Sequence, residues 1–279
     1  MNASFHSRRP VAPLDRFIET VWTSQRSAGL AHAREWGLPT GCADLVVPLD
    51  GQRLWRFDRA DDALGRSFAG GVLQGAQDRA ALRDTLRASL VVGAHFKPSG
   101  LAAFWREPAH AFAGLTLSLD DLWPRFADEL REQIGAGAPP EQRLDQLERA
   151  LLRRLRVDAA PDPLTRWATR QLADGAAVGD VQRASGFAAA TFIARYRAAC
   201  GLAPKRHAAV MRFQALLRAT PSQASWAALA ADAGYADQAH MSRQFTEFAG
   251  MTPGHYRRHA TPFATHVASS ESTQRASSG

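Results

Sequence analysis

Residues 226–257 read W-A-A-L-A-A-D-A-G-Y-A-D-Q-A-H-M-S-R-Q-F-T-E-F-A-G-M-T-P-G-H-Y-R, and this stretch decides the C-terminal fold. Trp226, Leu229, Ala230 and Ala233 recur at i, i+3, i+4 and i+7, the apolar stripe of a short helix. Gly234 supplies the left-handed backbone that ends it. Asp237 is placed to cap a second helix whose buried stripe is Met241, Phe245 and Phe248. Two helices joined by a tight glycine turn form a helix-turn-helix, whose second helix fits a DNA major groove.

The pattern occurs twice. The upstream copy has Gly186-Phe187, Phe192, Tyr196, Gly201 and Pro204; the downstream copy has Gly234-Tyr235, Met241, Phe245, Gly250 and Pro253. The offset is 48 residues at the turn and 49 from the aromatic position onward, a register that marks an internal repeat. Residues 204–218 between the copies read as one helix, about 22 Å long at 1.5 Å per residue. Such a strut could hold two recognition helices toward adjacent major grooves, which recur at roughly 34 Å.

With Met241, Phe245 and Phe248 inward, Ala239, Arg243 and Thr246 face outward, flanked by His240 and Glu247, while Gln238 projects from the N-terminal end. Arg243 suits a bidentate contact to guanine and Gln238 one to adenine; Ala239 offers a thymine methyl only apolar contact. Taken alone, Arg243 is as well explained by a phosphate contact or a solvated charge; the repeat around it favours base reading. The first copy buries Phe192, Tyr196 and Ala199 and turns Ala190, Ala194 and Arg197 outward. Only Thr191 and Arg197 can hydrogen-bond there, so this helix is expected chiefly to dock. Lys205, Arg206, Arg212, Arg257 and Arg258 lie near helix ends or outer faces and are assigned to phosphates.

Charge agrees with that assignment. Residues 177–260 carry ten Lys/Arg against four Asp/Glu, whereas residues 1–176 carry 23 against 22. A compact basic segment attracts a polyanion, and nucleic acid is the usual one. The bland alternative is an arginine-rich solvated surface.

Upstream, residues 17–23, 43–49, 54–57, 67–73 and 88–96 read as short strands punctuated by Gly and Asp, which predicts a small antiparallel sheet or barrel. Helical stretches follow near 100–107, 119–134, 141–157 and 163–173. The fold class is therefore α+β: a β-rich domain with helices over 1–160, an all-α double helix-turn-helix domain over 163–260, and a disordered Ser/Thr/Ala-rich tail over 261–279. The row Leu144, Leu147, Leu151 and Leu155 could pair with its twin in a homodimer; packing on the chain's own sheet is the simpler reading.

Other chemistries find little support. G-x-S-x-G, a P-loop and G-x-G-x-x-G are all missing, so no enzyme activity and no cofactor are expected. His32, Glu35, His95 and His110 lack metal-ligand spacing, and no metal is assigned. Cys42 and Cys200 are far apart in sequence and suggest neither disulfide nor zinc finger. No signal core or run of 18 apolar residues is present, which points to a cytoplasmic protein without a membrane partner.

Residues 226–257 and the preceding copy resemble the DNA-binding domain of the AraC/XylS family of bacterial transcription regulators. The likeness covers about the last 95 residues before the tail. The first copy departs from the family's S-x-R-x-L-x-R-x-F: the positions hold Ala188, Ala190, Phe192, Ala194 and Tyr196. Gln182 stands where a small residue usually packs, and His207 replaces the usual Tyr after Pro204. Residues 38–49 (L-P-T-G-C-A-D-L-V-V-P-L), 92–104 (V-G-A-H-F-K-P-S-G-L-A-A-F) and 119–123 (L-D-D-L-W) are similar to a β-rich N-terminal domain found in one branch of these regulators. The resemblance implies a cupin-like sensing or dimerising domain. It also implies a regulator bound to double-stranded promoter DNA, with RNA polymerase and a small-molecule effector as further partners. The competing reading is a DNA-repair methyl acceptor on the same type of module, which would need a reactive cysteine.

Overall fold

The computed structural model describes residues 3–26, 34–85, 87, 89–135, 137–220, 224–261 and 263–269. The N-terminal half is built from strands β1 (Ala3–Arg8), β2 (Ile18–Arg26), β3 (Arg34–Gly37), β4 (Asp44–Pro48), β5 (Leu54–Phe57), β6 (Arg66–Phe68), β7 (Val72–Gln74), β8 (Ala81–Asp84), β9 (Ser89–Phe96) and β10 (Thr116–Ser118). Three helices follow: α1 (Leu119–Leu122), α2 (Phe126–Ile134) and α3 (Pro140–Arg154). The C-terminal half holds α4 (Pro163–Ala173), α5 (Val178–Ala184), α6 (Ala189–Cys200), α7 (Pro204–Ala219), α8 (Trp226–Asp232), α9 (Gln238–Ala249) and α10 (Pro253–His259), then a last strand, β11 (His266–Ala268).

The expected small antiparallel sheet or barrel takes the form of two antiparallel sheets. One has the order β1-β2-β9-β4-β7-β10, the other β11-β3-β8-β5-β6. Alternation along the strands sorts the first sheet's faces. Val21 on β2, Leu45 and Val47 on β4, and Val92, Ala94 and Phe96 on β9 are buried in one cluster with the leucines of α3. The opposite face, with Thr20, Trp22, Ser24 and Arg26 of β2, Asp44 and Val46 of β4, and Val91 and His95 of β9, lines a cavity of about 950 Å³. The second sheet supplies the facing wall through Glu35, Arg56 and Arg83. Gly93 on β9 is needed here, because a Cβ would meet the Trp22 ring at 2.4 Å.

Several expected elements change on folding. The stretch 67–73 divides at Gly71 (φ 101°) into β6 and β7. Residues 100–107 give only a 3-10 turn, Gly100–Ala103. The stretch 119–134 breaks between α1 and α2, where Arg125 adopts a left-handed backbone (φ 63°). Leu144, Leu147 and Leu151 are buried within the chain's own core, and Leu155 packs against it, so the leucine row is occupied internally rather than free to make a dimer seam.

The tail expected to be disordered from residue 261 contains β11, which pairs antiparallel with β3 through Val267↔Trp36. Val267 is fully buried, and Tyr256 Oη donates to Ala264 O at 2.8 Å. The correction has a physical cause: His266-Val267-Ala268 is too short to show periodicity, but it satisfies the edge donors and acceptors of β3 and adds one apolar side chain to an interdomain core. Residues 270–279 of that tail lie outside the described residues.

Candidate nucleic-acid interface

Both helix-turn-helix units form as the repeat predicts. α5 and α6 are joined through Gly186 (φ 73°), and α8 and α9 through Gly234 (φ 75°). In the second unit Ser225 caps α8 by accepting from Ala228 N at 3.2 Å, and Asp237 caps α9 by accepting from His240 N at 2.6 Å. In the first unit Ala188 leaves α6 without a side-chain cap. Gln182 compensates at the turn: its Nε2 donates to Phe187 O at 2.6 Å. The longer side chain where a small residue is usual therefore stitches the turn instead of filling a core.

Phe192 and Tyr196 of α6, and Met241, Phe245 and Phe248 of α9, are buried. The packing leaves Thr191 and Arg197 exposed on α6, Gln238, Ala239 and Arg243 exposed on α9, and His240 half-buried with its ring edge-on to Tyr235 at 5.6 Å. No hydrogen bond or ion pair engages the side chains of Gln238, Arg243, Thr191 or Arg197 among the described residues, so their donors remain open to a ligand. Pro204–Ala219 spans 16 residues, about 24 Å of helix.

The five residues assigned to phosphates separate in space. Lys205 is exposed. Arg257 lies over the Trp226 ring at 4.1 Å and donates to Ala224 O at 3.1 Å. Arg258 is exposed at the wall of the sheet cavity. Arg212 lies over Tyr235 at 5.7 Å, against the second turn, with its Nε buried and without a partner among the described residues. Arg206 departs furthest from the expectation: its guanidinium bonds Asp78 and Glu247 and covers the Phe248 ring. Two carboxylates already satisfy that charge, which removes it from the phosphate set.

Tyr196 and His207 form a buried polar pair, Oη to Nδ1 at 2.7 Å, with Thr169 Oγ1 at 3.2 Å from the same hydroxyl. Desolvation pushes His207 down to about 4, so the ring is neutral. His207 fills the space beside Gly41 and engages the Tyr196 hydroxyl.

The second candidate site is the cavity between the sheets; the sequence pointed to a sensing-type domain here but, Glu35 and His95 apart, not to the residues that line the cavity. His95 Nδ1 bonds Asp44 Oδ1 at 2.8 Å. Desolvation lowers the imidazole, but the Asp44 charge and hydrogen bond outweigh it and hold the ring well above the ordinary histidine range. Arg83 Nη2 bonds Glu35 at 2.6 Å and His266 at 3.0 Å. Glu35 and His95, two of the four residues considered as a metal cluster, are thus committed to separate pairs; His110 lies in a distant 3-10 turn and His32 outside the described residues. A signal was present at Thr20, Trp22, Ser24 and Arg26, polar or aromatic residues alternating with Val21 and Thr23, the mark of a strand with a functional face.

Residues 197–259 match the family model described as "Helix-turn-helix domain", and residues 6–118 match "Domain of unknown function (DUF6597)". No curated protein matches the chain. Among solved structures, ToxT from Vibrio cholerae is similar at 8% identity, covering 92% of this chain and 97% of that one with a TM-score of 0.39. The AraC-like transcriptional activator CuxR is similar at 12% identity over 69% of this chain and 79% of that one, with a TM-score of 0.17. No helix among the described residues is long and apolar enough to cross a membrane. With two helix-turn-helix units following a β-rich domain and the family match falling on the second unit, residues 197–259 carry a helix-turn-helix domain of the DNA-binding kind.

Proposed function

We propose that the chain regulates transcription by sequence-specific major-groove readout, and that the N-terminal domain adjusts DNA binding when it takes up a small-molecule effector. The observation that carries the readout is the unspent polar face of α9. Gln238 and Arg243 project from a helix locked by Asp237 and three buried apolar side chains, so the amide's donor and acceptor and the guanidinium's forked donors are presented on a rigid element. The α6 face, with Thr191 and Arg197, contributes shape and phosphate contacts and less base discrimination. Lys205 and Arg257 take phosphates.

The effector reading rests on the cavity of about 950 Å³ inside the β domain, at the upper end of small-molecule sites. DNA binding and effector binding are coupled in this reading because Leu38 and Ala76 of the β domain share a buried cluster with α7, α8 and α9. RNA polymerase contact would follow from the promoter-bound complex, in the cytoplasm.

The methyl-acceptor alternative gains nothing from Cys200, the cysteine within the helix-turn-helix domain. Cys200 is buried at the end of α6 and desolvation pushes its thiol up, opposite to what a nucleophile needs.

Selection of genomic fragments by the full-length protein at physiological salt tests the proposal. A recovered motif spanning two adjacent major-groove segments supports it. Uniform recovery of unrelated fragments, with and without cell metabolites, overturns it.

A further inference from the structure

The chain's two cysteines, distant in sequence, meet at the seam between its halves. Cys42, in the turn that leads into β4, and Cys200, the last residue of α6, line one pocket of about 10 Å³, no larger than a water molecule. Ala43, Ala76, Ala109 and Ala199 supply much of the remaining wall. Each cysteine adjoins a glycine that the opposite half crowds. A Cβ on Gly41 would meet the His207 ring at 2.8 Å, and a Cβ on Gly201 would meet Ala76 Cβ at 3.0 Å and Ala109 O at 3.3 Å. The Gly41-Cys42 backbone is therefore pressed against α7, and the Cys200-Gly201 backbone against the β domain. Neither cysteine is in a disulfide, yet both line a space so small that little movement brings the sulfurs to the S–S distance of about 2.0 Å.

The two thiols differ in access and in surroundings. Cys42 is half-buried and also lines the sheet cavity, so a small solute reaches it from that side. Cys200 is buried. Burial disfavours charge on the His95 ring, but Asp44 and, after it, Cys42 favour the charge and hold the ring above the ordinary histidine range. A cationic imidazole beside a sulfur is the setting in which a thiolate forms. At the other thiol, burial pushes Cys200 up and Cys42 acts in the same direction, so Cys200 keeps its proton. The pair thus consists of an accessible sulfur beside a cation and a shielded thiol behind it, the arrangement of an oxidant-sensing cysteine with its resolving partner.

We propose that Cys42 and Cys200 are a redox pair, which hydrogen peroxide converts into a disulfide joining the β domain to the first helix-turn-helix unit. The Cys42 thiolate, its proton given up to solvent, attacks one peroxide oxygen. The O–O bond breaks, the sulfur becomes a sulfenic acid, and the departing hydroxide takes a proton from His95, which recovers one from solvent. The Cys200 sulfur then attacks the sulfenic sulfur; the S–O bond breaks, the hydroxyl leaves with the Cys200 proton as water, and the S–S bond forms. Two thiols are oxidised and one peroxide is reduced to two waters. Proximity carries the second step, because a thiol held against the sulfenic acid need not be acidic to react. Disulfides in a reducing cytosol are usually transient and redox-sensing; this one fixes α6 on the β domain until it is reduced. No ligand has to occupy the sheet cavity, so the pairing is independent of the effector reading.

The test treats the folded full-length protein, at high dilution, with a small excess of hydrogen peroxide, and then blocks the remaining thiols with iodoacetamide in denaturant. Both cysteines are expected to escape alkylation and the intact mass to fall by two hydrogens. A digest without reductant should yield one peptide pair joined through Cys42 and Cys200, and dithiothreitol should restore both thiols. Cys200→Ser is expected to stop at the Cys42 sulfenic acid, which dimedone captures. Cys42→Ser is expected to leave Cys200 a thiol over the same time.

Three wild-type outcomes overturn the pairing: no loss of thiols, a disulfide between two chains, or Cys42 oxidised past the sulfenic acid while Cys200 stays a thiol. Oxidation of Cys200 in Cys42→Ser at the wild-type rate would overturn the assigned order of attack. The wild-type result decides the pairing even if either variant fails to fold.

Discussion

Arg206 Nε donates to Asp78 Oδ2 at 2.7 Å, tying the helix between the two helix-turn-helix units to the β domain. The pair is partly exposed, with a quarter and a third of the side chains accessible. Its Coulomb term is accordingly screened, and the pair contributes on the order of 1 kcal/mol. Its value is geometric: it orients α7, from whose two ends the units extend.

The first prediction contrasts Asp78→Asn with Lys205→Ala. Asp78→Asn should cost about 0.5–1 kcal/mol of stability and leave the salt slope of DNA binding unchanged. Lys205→Ala should leave stability unchanged and reduce the slope by about 0.9. Binding isotherms from low to physiological salt decide it, and a reduced slope in an Arg206→Ala protein that retains its fold would return Arg206 to the phosphate set.

A second concerns division of labour between the recognition helices. Arg243→Ala should lose ~1–3 kcal/mol of discrimination at one base pair. Arg197→Ala should weaken binding to all sequences alike. Competition among single-base variants of a selected fragment is the measurement, and an equal specificity loss at Arg197 refutes the asymmetry.

His207 yields a pH prediction. Its folded pKa, about 4, lies below the unfolded value of about 6.5. As pH falls through 6.5 the unfolded chain takes up the proton first, so stability is lost between about pH 6.5 and 4, at up to roughly 1.4 kcal/mol per unit. Above that window the contribution is fully present. His207→Asn keeps an acceptor for the Tyr196 hydroxyl but does not titrate. The difference between the wild-type and variant unfolding free energies should therefore shrink toward acid; His266, which shifts the same way, cancels in the difference. A pH-independent difference contradicts the buried neutral ring.

Val267 tests the C-terminal strap. It is fully buried in the cluster shared by the two halves, so Val267→Asp should cost at least about 3 kcal/mol. Hydrogen exchange should show β3 losing protection together with α10, since Leu38 N donates to Thr265 O at 2.7 Å and α10 leads directly into the strap. Unchanged melting would mean that residues 263–269 do not hold the two halves together.

How much was readable in advance depends on the range of the forces involved. The amphipathic period of α8 and α9, the glycine turns and the Asp237 cap are set by neighbours within a turn or two of helix, and the amino-acid sequence alone determined them, together with the outward face of Gln238 and Arg243. The main strands Ile18–Arg26, Asp44–Pro48 and Ser89–Phe96 were legible for the same local reason. Tertiary structure decided which strands meet. Only the pairing of β5 with β8 sets Arg56 opposite Arg83, and only the closure of β11 on β3 turns the tail into a wall of the cavity. Likewise Arg206 looks like any basic helix residue until Asp78, 128 positions away, arrives beside it. A local pattern shows which face a side chain takes; whether that face meets water, DNA or a carboxylate depends on chain segments brought together by folding.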